Sequence, residues 1–224
     1  MLFALAGPGA ACPPVPDCRG NAPPPQAKHG WTHLRSRLVA KLGDANHRGR
    51  DLLLVEGEPQ WVIGKFAYGL IDKDLKDERV LVHALVGCRG RWTLLGEGRT
   101  TKAGGKHPAV DGYADTGGVL YFKIPEAKRL PVGLHRVRMT VTGDGTGADA
   151  WVHVVRKGAQ VVVSDIDGTL TTSAHAETKA LLRGRWPGAR PEAAATLRAA
   201  AGKGYALYYL SSRPDWLVPR SQAW

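Results

Sequence analysis

Apolar and polar residues change rhythm twice along this chain, and each change marks a boundary. Residues 31–42 (WTHLRSRLVAKL) carry apolar side chains at 31, 34, 38 and 42, a helical spacing with basic residues between. From Asp51 the period shortens to two. Strands are predicted at 62–68, 80–86, 92–97, 119–124, 135–142 and 150–156, and Arg136-Val137-Arg138-Met139-Thr140-Val141 alternates most cleanly. Cys88-Arg89-Gly90-Arg91 and Gly143-Asp144-Gly145-Thr146-Gly147 read as hairpin loops, and 101–118 as a longer glycine-rich loop. Short strands with such turns predict an all-β sandwich of roughly 100 residues.

Near residue 159 the pattern changes again. Val161-Val162-Val163-Ser164 is a continuous apolar run, as expected of a strand buried on both faces of a parallel sheet. Residues 174–183 and 191–203 read as helices, with Pro191 suited to a first turn and Gly202 and Gly204 to an end. Residues 205–210 (YALYYL) form a second buried strand that delivers Ser211-Ser212-Arg213. Strand, helix, strand, each strand ending in polar residues, is the first unit of a doubly wound α/β sheet. The expected plan is a proline-rich tail or remnant signal at 1–30, a basic helix at 31–50, the sandwich at 51–158 and the α/β part at 159–224.

Composition adjusts this picture in three places. The 224 residues hold 31 basic and 20 acidic side chains, a net charge of +11, which favours anionic partners such as acidic lipid headgroups. A GC-rich genome, through arginine and alanine, gives the same bias. From Arg19 to Arg50 there are seven basic residues against one acid, Asp44, so the 31–42 helix suits either an anionic membrane or its own domain with a solvated outer face. The cysteines Cys12, Cys18 and Cys88 are too few and scattered for a zinc site or a disulfide framework, although Cys12 and Cys18 could pair in an exported chain. The apolar start, MLFALAGPGAA, resembles the tail of a secretory signal without its basic region. A cytoplasmic or membrane-peripheral location is favoured, with export as the alternative.

The chemistry concentrates where the first parallel strand ends. Asp165 and Asp167 emerge two residues apart at its carboxyl end, where open α/β sheets place ligands, and Gly168 lets the backbone turn closely there. By average composition, Asp-x-Asp-Gly-Thr arises by chance in roughly a few per thousand chains of this length. It resembles the first motif of the haloacid dehalogenase (HAD) phosphohydrolases. The longer wording SDIDGTLTTS is similar to lipin-type phosphatidate phosphatases and to the related domain that ends the Nir/RdgB phosphatidylinositol-transfer proteins.

That resemblance implies roles. Asp165 would be the nucleophile that forms an aspartyl-phosphate, and Asp167 the general acid and then base. Mg²⁺ would lie on Asp165 and on the Asp167 carbonyl. Thr169 would hold the loop, Ser211 or Ser212 would bind a phosphoryl oxygen, and Arg213 would meet an anionic headgroup or form a structural ion pair. The expected fold is thus a partial HAD-like doubly wound sheet behind an all-β sandwich, and the expected activity Mg²⁺-dependent hydrolysis of phosphatidate. Only twelve residues follow Ser212, short of the lysine and acidic pair of the later HAD motifs, so a truncated member with little turnover is expected. The alternatives are a non-catalytic phosphatidate- or membrane-binding module, a phosphatase on a soluble phosphomonoester, and a working sandwich. A sandwich metal site would draw on His107, Asp111 and Asp115, which match no known cation loop; His83, His135 and His153 read as structural. Nucleic acid is an unlikely partner.

Overall fold

The computed structural model describes Cys18, residues 29–213, Leu217, Arg220, Ser221 and Trp224. The expectations for the tail at 1–30, including the remnant signal and Cys12, lie otherwise outside these residues. The chain divides at Lys157/Gly158 into a unit spanning Pro16–Lys157 and one that includes Gly158–Trp224. Its elements are β1 (Arg48–Gly49), β2 (Leu52–Val55), β3 (Trp61–Lys65), β4 (Ala67–Tyr68), β5 (Lys73–Asp74), β6 (Arg79–Leu85), β7 (Thr93–Arg99), β8 (Val119–Lys123), β9 (Gly133–Val141), β10 (Gly147–Val155), β11 (Val161–Asp165) and β12 (Ala206–Leu210). The helices are α1 (Leu34–Val39), α2 (Ala176–Leu182) and α3 (Ala193–Gly202).

The first unit is a β-rich sandwich. One sheet has the order β2-β10-β9-β6-β7, the other β1-β3-β8, and only β2 pairs with its neighbour in parallel. The alternation in β9 turns His135, Val137 and Met139 inward, where they join Val62, Leu120 and Val152 among the buried residues, and leaves Arg136 and Arg138 half-exposed over Asp149. Glycine sets the spacing between β7 and β8: a Cβ on Gly98 would lie 2.6 Å from Leu120 Cδ1, and one on Gly96 2.9 Å from Phe122. The predicted strand 62–68 is broken at Phe66, which pairs instead with Gly118 and Leu75 and sends the chain into the β4–β5 hairpin. β1, β2 and β5 were not predicted. β2 reads LLLV, so its burial alternates while its sequence does not.

Two expectations change here. The helix predicted at 31–42 is shorter, and its stripe faces outward: Ser36 is buried, Val39 and Ala40 rest on the core, and Leu34, Leu38 and Leu42 are exposed. The pairing of Cys12 with Cys18 gives way to a Cys18–Cys88 disulfide across 70 residues.

The second unit places β11 and β12 side by side in parallel, Asp165 opposite Leu210, with α2 and α3 between them in sequence. α3 ends where Gly204 adopts φ +88° and donates to Ala201. This much is α/β, but a two-stranded sheet does not show the expected doubly wound HAD sheet. Nor is β11 buried on both faces: Val161 and Val162 are half-buried and Val163 is exposed, because one neighbouring strand gives the helices too little surface to cover. Among the described residues no helix is long and apolar enough to cross a membrane.

Candidate functional site

The loop after β11 is built on its own hydrogen bonds. Gly168, at φ +91°, donates to Thr171 Oγ1 at 2.9 Å, while the Leu170 and Thr171 N–H groups return to the Ile166 carbonyl at 3.0 Å each. Thr171 is fully buried and its hydroxyl also donates to Ser173 O at 2.9 Å, so the threonine that holds this loop is Thr171. Thr169, expected in that role, is exposed and donates to Asp165 Oδ2 at 3.3 Å. Asp165 is exposed.

The structure brings Asp167, Ser211 and Arg213 together across 44 and 46 residues of sequence. Arg213 grips the carboxylate from two sides: Nε lies 3.1 Å from Oδ1 and 2.8 Å from Oδ2, and Nη2 2.6 Å from Oδ1. Ser211 Oγ adds a donor to Oδ2 at 3.3 Å and accepts the Arg213 N–H at 3.1 Å. Ser212 is exposed beside them.

Behind this pair lies a group for which the sequence carried no signal. Glu177, on α2, is buried; its Oε2 is 3.4 Å from Arg213 Nη1 and its Oε1 2.5 Å from Arg220 Nε. Arg213 Nη1 also reaches Ser221 Oγ at 3.0 Å, and Arg220 lies over Trp186 at 4.6 Å. The hydrogen bond to Asp167 and the neighbouring charges of Asp167, Glu177 and Asp165 push the Arg213 guanidinium further up, against a smaller opposing effect of burial. The Arg213 side chain is only 6% exposed, which makes the internal ion pair the observed one of its two expected roles.

This geometry does not suit the expected hydrolysis. Both Asp167 oxygens are turned into a guanidinium and a serine hydroxyl, which leaves neither directed at a leaving group. Among the described residues no three His, Cys, Asp or Glu side chains form a cluster, and the Asp167 carboxylate is engaged by Arg213. In the sandwich, His107, Asp111 and Asp115 do not converge on a cation. Asp115 organises the 101–118 loop; burial alone would raise its pKa, but donors from Gly117, Thr101, His107 and Lys106 hold it below the usual carboxylate value. His107 stacks on Tyr121, ring centroids 4.1 Å apart. His83, His135 and His153 sit in strands, and burial pushes each down, His153 to about 4.

Comparison with known proteins completes the correction. Residues 45–154 match the family model described as PITM 1-3, beta-sandwich domain, and residues 162–224 the one described as PITM 1-3, LNS2 domain. Membrane-associated phosphatidylinositol transfer protein 1 of Rattus norvegicus is 31% identical over 87% of this chain and 14% of its own length. Membrane-associated phosphatidylinositol transfer protein 2 of Homo sapiens and Protein retinal degeneration B of Drosophila melanogaster are each 32% identical over 90% of this chain and 14% of their own lengths. The chain therefore spans about one seventh of these relatives' length. The M1 domain from titin aligns with 52% of this chain and 97% of its own at 17% identity and a TM-score of 0.24, too low to bear on the fold. These matches point to the β-sandwich and LNS2 domains of the Nir/RdgB type, one half of the resemblance drawn from SDIDGTLTTS, and overturn the other half, a lipin-type HAD phosphatase.

Proposed function

We infer that this chain carries β-sandwich and LNS2 domains of the PITM 1-3 type, and that its LNS2 part recognises the phosphate-bearing headgroup of a phospholipid, phosphatidate foremost, without hydrolysing it. The observation that carries this reading is the saturation of Asp167 by Arg213 and Ser211 at a strand end that still exposes hydroxyls. Ser212 is exposed there and donates to a phosphate oxygen, the exposed hydroxyls of Thr169 and Ser211 exchange Asp165 and Asp167 for the same acceptor, and Arg213 stays in its internal ion pair. The names of the first two relatives describe phosphatidylinositol transfer, by proteins about six times as long. For this chain the proposal is recognition alone.

The test is sedimentation of the 224-residue chain with phosphatidylcholine vesicles containing either phosphatidate or phosphatidylserine, with inorganic phosphate measured in the supernatant. Expected are a preference for phosphatidate, no phosphate release and no effect of EDTA. Ser211→Ala with Ser212→Ala should reduce that preference by about three- to tenfold, the loss of one or two hydrogen bonds to a charged group. Asp165→Asn should strengthen binding by about two- to fivefold, since it removes a negative charge facing the phosphate. Phosphate release abolished by Asp165→Asn, or a preference indifferent to both serines, would sink the reading.

A further inference from the structure

Among the described residues of the sandwich unit, Leu34, Leu38, Leu42, Leu70 and Ile71 are exposed on α1, the turn after it and the β4–β5 hairpin. The chain entering α1 is firmly held. The Trp31 ring lies on Gly143, where a Cβ would come within 2.3 Å of it, and meets Tyr68 edge-on at 6.3 Å. Buried Glu78 accepts the Thr32 and His33 N–H groups at 2.9 and 2.8 Å. Anchored this way, α1 turns Ser36 inward and presents Leu34, Leu38 and, in the following turn, Leu42 to solvent at 85, 65 and 56% exposure. The β4–β5 hairpin comes alongside: Gly69 N–H donates to the Asp44 carbonyl at 2.9 Å, and a Cβ on Gly69 would lie 3.5 Å from that of Leu42. At the hairpin tip Leu70 and Ile71 are 106 and 78% exposed.

Leu42 beside Gly69 joins the helix stripe to the hairpin tip, and large exposed apolar patches mark interaction sites. Their surroundings say what covers them. Exposed Arg35, Arg37 and Lys41 interleave the leucines, exposed Lys73 follows the tip, and residues 31–43 contain no acid. Of the nearby acids, Asp72 is tied to Arg48 at 2.6 Å, and Asp77 to His33 at 3.0 Å and Lys102 at 3.3 Å; exposed Asp44 is the exception. Aliphatic side chains ringed by basic stems match the interface of an anionic bilayer. Leucine and isoleucine enter the acyl boundary while lysine and arginine lay their stems along it and hold their charges at the headgroups. A preformed protein groove would accept the leucines but gives no account of the basic ring.

We propose that α1 and the β4–β5 tip form a membrane-docking surface that inserts Leu70 and Ile71 into an anionic bilayer while Arg35, Arg37 and Lys41 engage its headgroups. The surface lies wholly within the sandwich unit, and it stands whether or not the headgroup reading of Ser211 does.

Phosphatidylserine vesicles test it without engaging a phosphatidate site. The 224-residue chain should sediment with phosphatidylcholine–phosphatidylserine vesicles and not with pure phosphatidylcholine. Leu70→Asp with Ile71→Asp should weaken binding by about tenfold or more while leaving the thermal midpoint unchanged, because both side chains are in water. Arg35→Glu with Arg37→Glu and Lys41→Glu should abolish the preference for phosphatidylserine. Ser211→Ala with Ser212→Ala should change nothing in this assay, which keeps the two readings separable. Wild-type binding by the Leu70→Asp, Ile71→Asp variant, or no binding by the wild type, overturns the proposal. So does a dimer, seen by sedimentation velocity, that this variant dissociates while vesicle binding persists; the surface would then belong to a second copy of the chain.

Discussion

Arg213 is the side chain on which the two inner carboxylates of the α/β unit depend. Replacing it with alanine leaves Asp167 without its guanidinium and Glu177 with Arg220 alone. Breaking a buried pair from one side costs about 3 kcal/mol. Urea unfolding should show Arg213→Ala destabilised by that order, and Asp167→Asn in the same chain should restore part of it. His47 gives the second residue-scale prediction. Its Nδ1 accepts the Ala67 N–H at 3.3 Å, so the neutral ring carries its proton on Nε2, 2.9 Å from Thr146 Oγ1, and burial against Phe66 and Tyr68 lowers its pKa from 6.5 to about 4. A folded value below the unfolded one means that the unfolded chain takes up the proton first as pH falls. The stability present above pH 6.5 is therefore lost between 6.5 and about 4, and no further below. His47 alone contributes up to roughly 3 kcal/mol of that loss, with His153 acting in the same direction. Melting temperature should drop between pH 7 and pH 4.5, and His47→Gln should flatten the profile; a drop unchanged in the variant would remove His47 from the account.

Elements in this protein are fitted by close approach as much as by pattern. Gly98 of β7 faces Leu120 of β8 at a distance that admits no Cβ, so Gly98→Val should cost about 1–3 kcal/mol in a thermal or urea melt through overpacking. The Cys18–Cys88 disulfide ties the approach to the sandwich to the turn after β6. Closing a 70-residue loop constrains the unfolded chain by about 4 kcal/mol. Peptide mapping under non-reducing conditions should recover Cys18 joined to Cys88, and Cys88→Ala should lower the melting temperature. At this scale the sequence was legible where burial and period coincide. β6, β8, β9 and β10 fall within a few residues of their predicted positions because each alternates across a core-facing sheet. β2 was hidden since four consecutive apolar residues carry no period, and the break at Phe66 since a strand changes sheets through backbone partners that leave no trace in side-chain pattern.

At the scale of the whole molecule, charge is the property that speaks most directly. A net charge of +11 and an exposed basic ring on α1 make binding to anionic vesicles an electrostatic event in part. Raising salt from about 50 to about 500 mM shortens the screening length from roughly 14 to roughly 4 Å. Vesicle binding should fall steeply over that range in the wild type and weakly in the Arg35→Glu, Arg37→Glu, Lys41→Glu variant, as read by sedimentation at each salt concentration. The two units carry different parts of this behaviour: the sandwich unit the exposed leucines, the α/β unit the hydroxyls at the end of β12.

The amino-acid sequence alone determined the order of an all-β unit followed by an α/β unit, and it brought Asp165, Asp167 and Ser211 to strand ends. These are consequences of local period and of where each apolar run stops. It carried the wrong half of a resemblance as readily as the right one, because SDIDGTLTTS describes a loop and not what opposes it. Only the tertiary structure decided that Arg213, 46 residues from Asp167, closes on that carboxylate, and that Glu177 stands behind it. Only the tertiary structure turned the leucines of α1 outward, because the side chosen by a short helix depends on what Trp31, Glu78 and Gly69 leave open, and those contacts join residues far apart in the chain.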